Sequence, residues 1–336
     1  MATYFVGGEF DSFFPMTATD AFEETGNAQT GISRGSIYVQ NSGKVGAYLI
    51  NPSTQQRTSA TGTIWFHSYG YWYGCNTNTP QVPFTYVNSN NVPVFRFITT
   101  GSGNPNYQCQ MSVDGNTWTN LGGVMPLPVN ASWTLDLMLT IGTSGALRVF
   151  GNGVEVLSVA NVDTSAMLNV ARWEGMSNRN DANALRWSQV IIADYPTIGH
   201  VVRRRTPTGN GTSVGWNGDY TGVDEFQTSD GDGVTTNVAG QKETFTAAAL
   251  SATESGKVIK AVAVAARVRT DEASVPKTVK AVIRVGSTDY ESAPLAGTNN
   301  YTYGGSLAIW EKDPSTNADW VNITNVNGEF GIKSDT

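Results

Sequence analysis

The amino-acid sequence predicts an all-β protein built from two units. Short runs of β-branched and aromatic residues, bounded by Gly, Asn, Ser and Pro, recur along the 336 residues, as is typical of sandwiches and barrels. Several runs alternate polar and apolar residues, which indicates strands with one buried face. No stretch combines a 3.6-residue apolar period with capping residues, so we expect no long helix.

The first 200 residues carry the clearest strand signals. The runs RGSIYVQ, KVGAYLI, VPVFRFIT and YQCQMSV are each rich in residues that favour strands. In SWTLDLMLTIG every second residue from Trp133 to Ile141 is apolar, which predicts a half-buried strand. The sequence Gly151-Asn152-Gly153 then predicts a tight hairpin, because these residues tolerate positive φ.

The last third of the chain is also mostly β. In residues 279–285 the odd-numbered positions are apolar, whereas Lys280 and Arg284 belong to the opposite face. The segment GEFGIKS predicts a closing strand. In DPSTNADWVNITNV we expect a short helix or a turn, with Asp313 or Ser315 as the capping residue.

Residue usage changes near residue 200. Residues 1–200 contain a single lysine, Lys44, whereas residues 201–336 contain seven. We therefore predict two domains, residues 1–200 and residues 223–336. The segment between them, residues 201–222, is rich in Gly, Thr and Asn, which predicts a linker, and its aromatic residues favour an ordered one.

Overall charge excludes several classes of partner. The formal net charge is −7, which argues against a nucleic-acid binder and against charge-driven adhesion to an anionic membrane. No apolar stretch approaches the ~20 residues of a membrane helix, so we expect no membrane insertion. The N-terminus lacks the basic start and apolar run of a secretory signal, so we expect synthesis in a cytoplasm.

The segment IWFHSYGYWYG, Ile64–Gly74, concentrates aromatic side chains around one of the two histidines of the chain. As a strand, it places the odd-numbered residues on one face, where rings with polar groups suit a half-wet surface better than a dry core. Such a face is a sugar site, a protein interface or part of the core. The candidate ligand-binding residues are Trp65, His67, Tyr69, Tyr71, Trp72 and Tyr73.

Polar residues near this segment in the sequence, Asn76, Asn78 and Arg96, could complete such a site. The only basic cluster is Arg203-Arg204-Arg205. It is either a contact for an acidic partner protein or an anionic polysaccharide, or a solvated strand face.

A resemblance appears in the order of these elements. The strand WTLDLMLTIG, the Gly-tipped hairpin GALRVFGNGVEVLSV and the later strand NALRWSQVIIAD resemble the jelly roll of concanavalin A-like lectins and glucanases. Residues Arg186–Glu225 and the C-terminal segments KVIKAVAVAARVRT and YTYGGSLAIWEKDPSTNADW are similar to structural proteins of tailed bacteriophages, in which a lectin-like domain leads into a β domain.

The resemblance implies a non-catalytic component of a virion. Such proteins are tail fibres, tail-tip or minor tail proteins, or head appendages, displayed on the particle after assembly in the host cytoplasm. The implied partners are other virion proteins and a host-surface glycan or receptor, and a homo-oligomer is expected because particle parts occupy symmetric positions. The alternatives are a polysaccharide-degrading enzyme on the same jelly roll and an architectural protein without a ligand.

Residues for catalysis are not evident. A glycosidase needs two carboxylates about 5–10 Å apart, but pairs such as Asp271-Glu272 are adjacent, and neighbouring side chains on a strand point to opposite faces. Only His67 and His200 could act as a histidine base, and there is no G-x-S-x-G elbow. We therefore predict no enzyme activity, no catalytic residues and no cofactor.

Metal binding is not predicted either. The histidines and cysteines lack zinc-site spacing, and SDGDGVTTN lacks the later ligands of a calcium loop. For Cys75 and Cys109 we expect a reduced buried pair, as in a protein made in a reducing compartment. A disulfide formed after release from the cell is the alternative.

Overall fold

A computed structural model of the chain describes residues 1–7, 14–15, 21–24, 36–39, 44–72, 80–100, 106–128, 131–176, 185–224, 231–250, 257–270, 278–296, 307–321 and 326–335. Of 14–15, 21–24 and 36–39 only the backbone is described. The chain divides into two compact units. Unit 1 comprises Met1–Ile50 and Arg57–Arg203, and unit 2 comprises Asn51–Gln56 and Arg204–Thr336.

The first seventeen strands precede Asp194. They are β1 (Thr3–Gly7), β2 (Phe14–Pro15), β3 (Ala21–Glu24), β4 (Ser36–Val39), β5 (Lys44–Tyr48), β6 (Ile50–Asn51), β7 (Gln56–Arg57), β8 (Thr63–Trp72), β9 (Phe84–Asn88), β10 (Pro93–Thr100), β11 (Asn106–Met111), β12 (Thr119–Pro126), β13 (Ala131–Thr140), β14 (Gly145–Gly151), β15 (Val154–Val162), β16 (Val170–Met176) and β17 (Leu185–Ala193). A single 3-10 turn, Ser165–Met167, interrupts the described part of this series.

Unit 1 is a sandwich of two antiparallel sheets. Within the described residues, the larger sheet has the order β15-β14-β13-β8-β17-β4-β3, with β1 also paired to β17, and the smaller has the order β12-β11-β10-β9-β16-β5-β2. The chain passes from β8 in the larger sheet to β9–β12 in the smaller, returns for β13–β15, and crosses again through β16 to β17. The predicted fold class, an all-β chain with an N-terminal jelly-roll sandwich and a smaller, mostly β C-terminal domain, is confirmed.

Aromatic rings fill the space between the two sheets. The Phe66 ring on β8 lies 4.9 Å from Phe84 and 5.2 Å from Trp173, both on the smaller sheet. Trp173 in turn lies 5.0 Å from Trp187 of β17, at a steep angle between the ring planes. Edge-to-face pairs of this kind add to the free energy gained by burial. The even-numbered residues of β8 therefore face the core, and the odd-numbered ones lie on the outer face of the larger sheet.

Unit 2 contains the remaining strands. They are β18 (Pro207–Val214), β19 (Lys242–Ala247), β20 (Val262–Ala265), β21 (Thr278–Val285), β22 (Thr288–Glu291), β23 (Leu295–Ala296), β24 (Leu307–Trp310), β25 (Lys312–Asp313), β26 (Ala318–Asp319) and β27 (Phe330–Ser334). The main sheet has the order β18-β19-β27-β21-β22, with β23 also paired to β21. Its core contains Ala281, Ile283 and Val285 of β21, together with Trp320.

Two segments with specific sequence predictions lie largely or wholly in unit 2. The predicted linker, residues 201–222, contains β18, which pairs with β19 as an edge strand of the main sheet. The segment that begins at Asp313 forms a turn between β25 and β26, in which the Asp313 carboxylate accepts hydrogen bonds from the backbone and hydroxyl of Ser315. The described part of the chain contains no helix with the length and hydropathy of a membrane span.

Candidate functional site

The outer face of the larger sheet carries two of the predicted tyrosines. β8 lies between β13 and β17, and the register places Tyr69 and Tyr71 level with polar residues of both neighbours. We call this surface the tyrosine band; its residues are Tyr69, Tyr71, Ser132, Thr134, Arg186 and Ser188. The alternation of β8 produces the band, because the core-facing residues on the same strand leave the odd positions to the outside.

Side chains of the band combine rings with hydrogen-bonding groups. Tyr69 and Tyr71 are half-buried, and Ser132 is exposed. The Arg186 guanidinium carbon lies 5.7 Å from the centroid of the Tyr71 ring, and the Ser188 hydroxyl donates to the Tyr69 carbonyl at 3.0 Å. Arg186 and Ser188 are themselves buried, so a ligand reaches the two half-buried rings and the exposed Ser132 hydroxyl. The rings can pack against an apolar ligand face, and the hydroxyl can hydrogen-bond its rim.

Next to the band, the same face of the sheet contains a buried polar network. The His67 ring nitrogen Nδ1 lies 2.8 Å from Asp136 Oδ1, and the Thr197 hydroxyl donates to that same oxygen at 2.9 Å. All three residues are at most 2 % exposed. Tyr195 packs with Ile191 of β17 in the same region, so the chain that follows β17 covers this part of the sheet.

The network does not have the order of a hydrolase triad. In such a triad the histidine lies between the nucleophile and the acid, whereas here Asp136 lies between His67 and Thr197. The second carboxylate oxygen of Asp136 has no hydrogen-bond partner among the described residues. The arrangement is therefore a buried hydrogen-bond network that links β8, β13 and the segment after β17.

Three predicted ligand-binding residues are placed wrongly for that role. Trp72 is in the core, with its ring 4.9 Å from Trp133, because an even position on β8 faces the opposite sheet. Trp65 is buried and stacked against Phe150 at 6.1 Å, and His67 is buried in the polar network. Tyr69 and Tyr71 keep accessible surface, and their ligand role stays a prediction. Tyr73, Asn76 and Asn78 lie outside the described residues.

The arginine cluster is divided between the two units. Arg205 donates to the backbone carbonyls of Ala247, Ala248 and Val326 within unit 2, and burial lowers the pKa of its guanidinium. Its donors hold segments of unit 2 together, and a contact between Arg205 and a partner stays a prediction. Arg203 and Arg204 are half-buried, and each engages at least one neighbour.

A second polar cluster lies on the outer face of the smaller sheet. The guanidinium carbon of Arg96 lies 3.8 Å from the centroid of the Trp118 ring. Arg96 Nε donates to Gln110 Oε1 at 2.8 Å, and Gln110 Nε2 donates to Asn120 Oδ1 at 2.8 Å. We call these four residues the Arg96 row. Because Phe95 and Phe97 face the core, Arg96 faces away from the larger sheet and does not belong to the tyrosine band.

No metal centre is evident in the residues that the structure describes, since they contain no group of three or more His, Cys, Asp or Glu able to hold an ion. Cys109 is a buried free thiol, and burial raises its pKa well above the usual range. Cys75 lies outside the described residues, so the reduced pair stays a prediction. The sequence did not indicate Asp136 or Thr197 as partners of His67, since the chain separates them widely.

Comparisons with known proteins find little at the level of sequence. No family model matches the chain, and no curated protein matches it. Similar solved structures include an endo-β-1,4-glucuronan lyase from the fungus Trichoderma reesei (TM-score 0.39, 9 % identity, 57 % of this chain and 95 % of that chain). They also include the botulinum neurotoxin type G receptor-binding domain (0.36, 10 %, 57 % and 44 %) and the T. cruzi calreticulin globular domain (0.42, 8 %, 58 % and 89 %). The chain thus spans less than half of the neurotoxin structure's length.

Proposed function

We propose that unit 1 is a carbohydrate-binding sandwich that acts without catalysis, with the tyrosine band as its ligand surface. The observation that carries this proposal is the pair of half-buried rings, Tyr69 and Tyr71, on one face of β8. Two residues along a strand span about 7 Å, so the rings offer adjacent platforms for the apolar faces of sugars. Ser132, which is exposed beside Tyr71, offers a hydroxyl for the sugar rim.

The environment of the nearest acid supports a binding role. Asp136 lies on the same face as the tyrosines, but it is 1 % exposed and accepts from two neighbours through one oxygen. A general acid or base must come within hydrogen-bond reach of the substrate. A buried and engaged carboxylate does not meet that requirement, so we propose that unit 1 binds a glycan and leaves it intact.

The wider role follows from the resemblance of Arg186–Glu225 and of the C-terminal segments to phage structural proteins. We extend the proposal to a surface component of a phage particle, assembled with other virion proteins as a homo-oligomer. The test is immunogold labelling of purified particles with an antibody against this chain. Gold on tails or heads supports the placement, and unlabelled particles that nevertheless contain the intact structural proteins contradict it.

The glycan role is tested by array binding followed by calorimetric titration with a neutral oligosaccharide that binds. We expect Tyr71→Ala and Tyr69→Ala each to weaken binding about tenfold, the equivalent of ~1.4 kcal/mol. Tyr48→Ala is the matched control, because Tyr48 is also half-buried but lies on the smaller sheet, beneath the Arg57 guanidinium. Equal losses in all three variants would contradict the site, a blank array would contradict glycan binding, and release of shortened oligosaccharides would contradict the absence of catalysis.

A further inference from the structure

We propose that unit 1 has a second ligand site, the Arg96 row, which binds a sugar that carries a carboxylate, such as a uronic acid. This site is separate from the tyrosine band, because Arg96 lies on the outer face of the other sheet. The ligand's carboxylate would lie against the guanidinium of Arg96, and its hydroxyls against the amides of Gln110 and Asn120.

The guanidinium of Arg96 is held in one orientation by two contacts. The guanidinium carbon lies over the Trp118 ring, 3.8 Å from the ring centroid. Arg96 Nε donates a hydrogen bond to Gln110, and Gln110 is itself oriented by a hydrogen bond to Asn120. Nη1 and Nη2 have no hydrogen-bond partner among the residues that the structure describes. Two parallel N–H donors in a fixed plane match the two oxygens of a carboxylate.

Two of the other outward arginines of the sandwich have the carboxylate partner that the Arg96 row lacks. A third, Arg57, lies over the Tyr48 ring at 3.5 Å and has no carboxylate partner among the described residues. Arg148 pairs with Glu155, and Arg172 pairs with Glu174 at 2.7 Å. Within the described ranges of the chain, Arg96 has no carboxylate within ion-pair distance. Since partial burial lowers the pKa of its guanidinium, the positive charge has lost hydration without gaining an anion. A bound carboxylate would supply that missing interaction.

Asp114, the closest acid along the chain to Trp118, is already engaged. Its carboxylate accepts from the backbone amides of Asn116 and Thr117 and from the Ser112 hydroxyl. These bonds lower the pKa of Asp114 to about 2. The carboxylate is therefore fixed within its own turn and takes no part in the Arg96 row.

The composition of the row favours a sugar over a polyanion or an acidic peptide. Arg96 is the only basic residue of β9–β12, and Arg172 on β16 of the same sheet is already paired with Glu174. The row can therefore neutralise one carboxylate but not a run of phosphates or sulfates. The groups beside it are amides, which suit hydroxyls, and the half-buried indole of Trp118. One carboxylate with several hydroxyls and an apolar ring face is the chemistry of a uronic acid.

The orientation of the guanidinium also reduces the cost of binding. A free arginine side chain loses rotamer freedom when it binds a ligand, and this loss weakens binding. In the Arg96 row that ordering is already present in the unliganded protein, through Trp118 and Gln110. Lysine at this position would keep the charge but would lose the planar stacking and the paired donors.

The test compares a hexuronic-acid oligosaccharide with the neutral hexose oligosaccharide of the same linkage, titrated calorimetrically into the full chain. We expect the acidic oligosaccharide to bind at least tenfold more tightly than the neutral one. Arg96→Gln should abolish that preference, and Arg96→Lys should retain only a minor part of it. Arg148→Gln removes the same charge from an arginine that is already paired, and it should leave the preference unchanged. Thermal unfolding of each variant checks that the sandwich is intact.

Several outcomes would overturn the proposal. Unchanged uronate binding in Arg96→Gln would show that the Arg96 row is not the site. An equal loss of uronate affinity in Arg148→Gln would show that the effect arises from overall charge. Full competition by a glutamate-rich peptide would assign the row to a protein ligand. The tyrosine band is tested separately, because Tyr71→Ala should weaken binding of the neutral oligosaccharide and leave the affinity for the acidic one unchanged. The two proposals can therefore fail independently.

Discussion

Replacing Gly70 by alanine tests the register on which the tyrosine band depends. Gly70 lies in β8, opposite Trp133 of β13 and Trp187 of β17. A Cβ atom at this position would lie 2.4 Å from the backbone oxygen of Arg186 and 3.6 Å from Nε1 of Trp72. The first of these distances is far below van der Waals contact. The obstructing atom is a carbonyl of β17, a strand in which every residue is buried, so it has little freedom to move.

The magnitude follows from the position of the clash. Overpacking a well-packed core costs about 1–3 kcal/mol, and we expect about 2–3 kcal/mol for Gly70→Ala because backbone, not a flexible side chain, must give way. In a unit of about 200 residues, 1 kcal/mol corresponds to a shift in Tm of about 2–4 °C. The variant should therefore unfold roughly 5–10 °C below the parent protein.

Gly62→Ala is the matched control for the calorimetric measurement. Gly62 immediately precedes β8, and a Cβ atom there would meet nothing within 4 Å. The substitution should leave Tm unchanged or raise it slightly, because alanine reduces the entropy of the unfolded chain by about 0.4–1 kcal/mol. Equal Tm values for Gly70→Ala and Gly62→Ala would refute the pairing of β8 with β17. The level placement of Tyr71 and Arg186 would then be wrong as well.

Three further predictions concern buried polar groups. Asp136→Ala leaves two buried donors unpaired and should destabilise unit 1 by about 2–4 kcal/mol in urea unfolding; a loss below 0.5 kcal/mol would contradict the network. Burial raises the pKa of Glu243, so its stabilising contribution is lost as the pH rises from ~4.3 through the raised value. Glu243→Gln should therefore stabilise unit 2 more at pH 7 than at pH 4, and equal shifts would contradict this. In a Cys75→Ser background, Cys109 should react with a thiol reagent only after unfolding, and rapid native labelling would refute its burial.

Strands could be predicted because their signal is local. A period of two in the sequence decides which side chains share a face, and it correctly separated Phe66 from Tyr69 and Tyr71. It does not decide what covers the outer face. His67 has the same alternation as Tyr69, yet it is buried because Thr197 and its neighbours return over β8 from a distant part of the chain.

The arginine run illustrates the same limit for charged residues. Arg203, Arg204 and Arg205 are adjacent in the sequence, which predicts one surface cluster. The unit boundary lies between Arg203 and Arg204, and Arg205 binds three carbonyls that converge from distant parts of unit 2. Convergence of this kind depends on the tertiary fold and leaves no pattern near the residue itself. The Arg96 row was missed for the same reason, because Gln110 and Asn120 join Arg96 only across paired strands.

The sandwich places its two proposed ligand surfaces on opposite sides of one core. Stacked sheets lie about 10 Å apart. In this sandwich the space between the sheets is filled by rings such as Phe66, Phe84 and Trp173. A single sugar residue is therefore too small to reach both the tyrosine band and the Arg96 row. Direct competition between a neutral and an acidic oligosaccharide is not expected, and saturation with the first should leave the affinity for the second unchanged. Tyr71 and Arg96 face opposite sides of the sandwich. Competition between the two oligosaccharides would mean that both bind one face, and it would contradict the assignment of two separate sites.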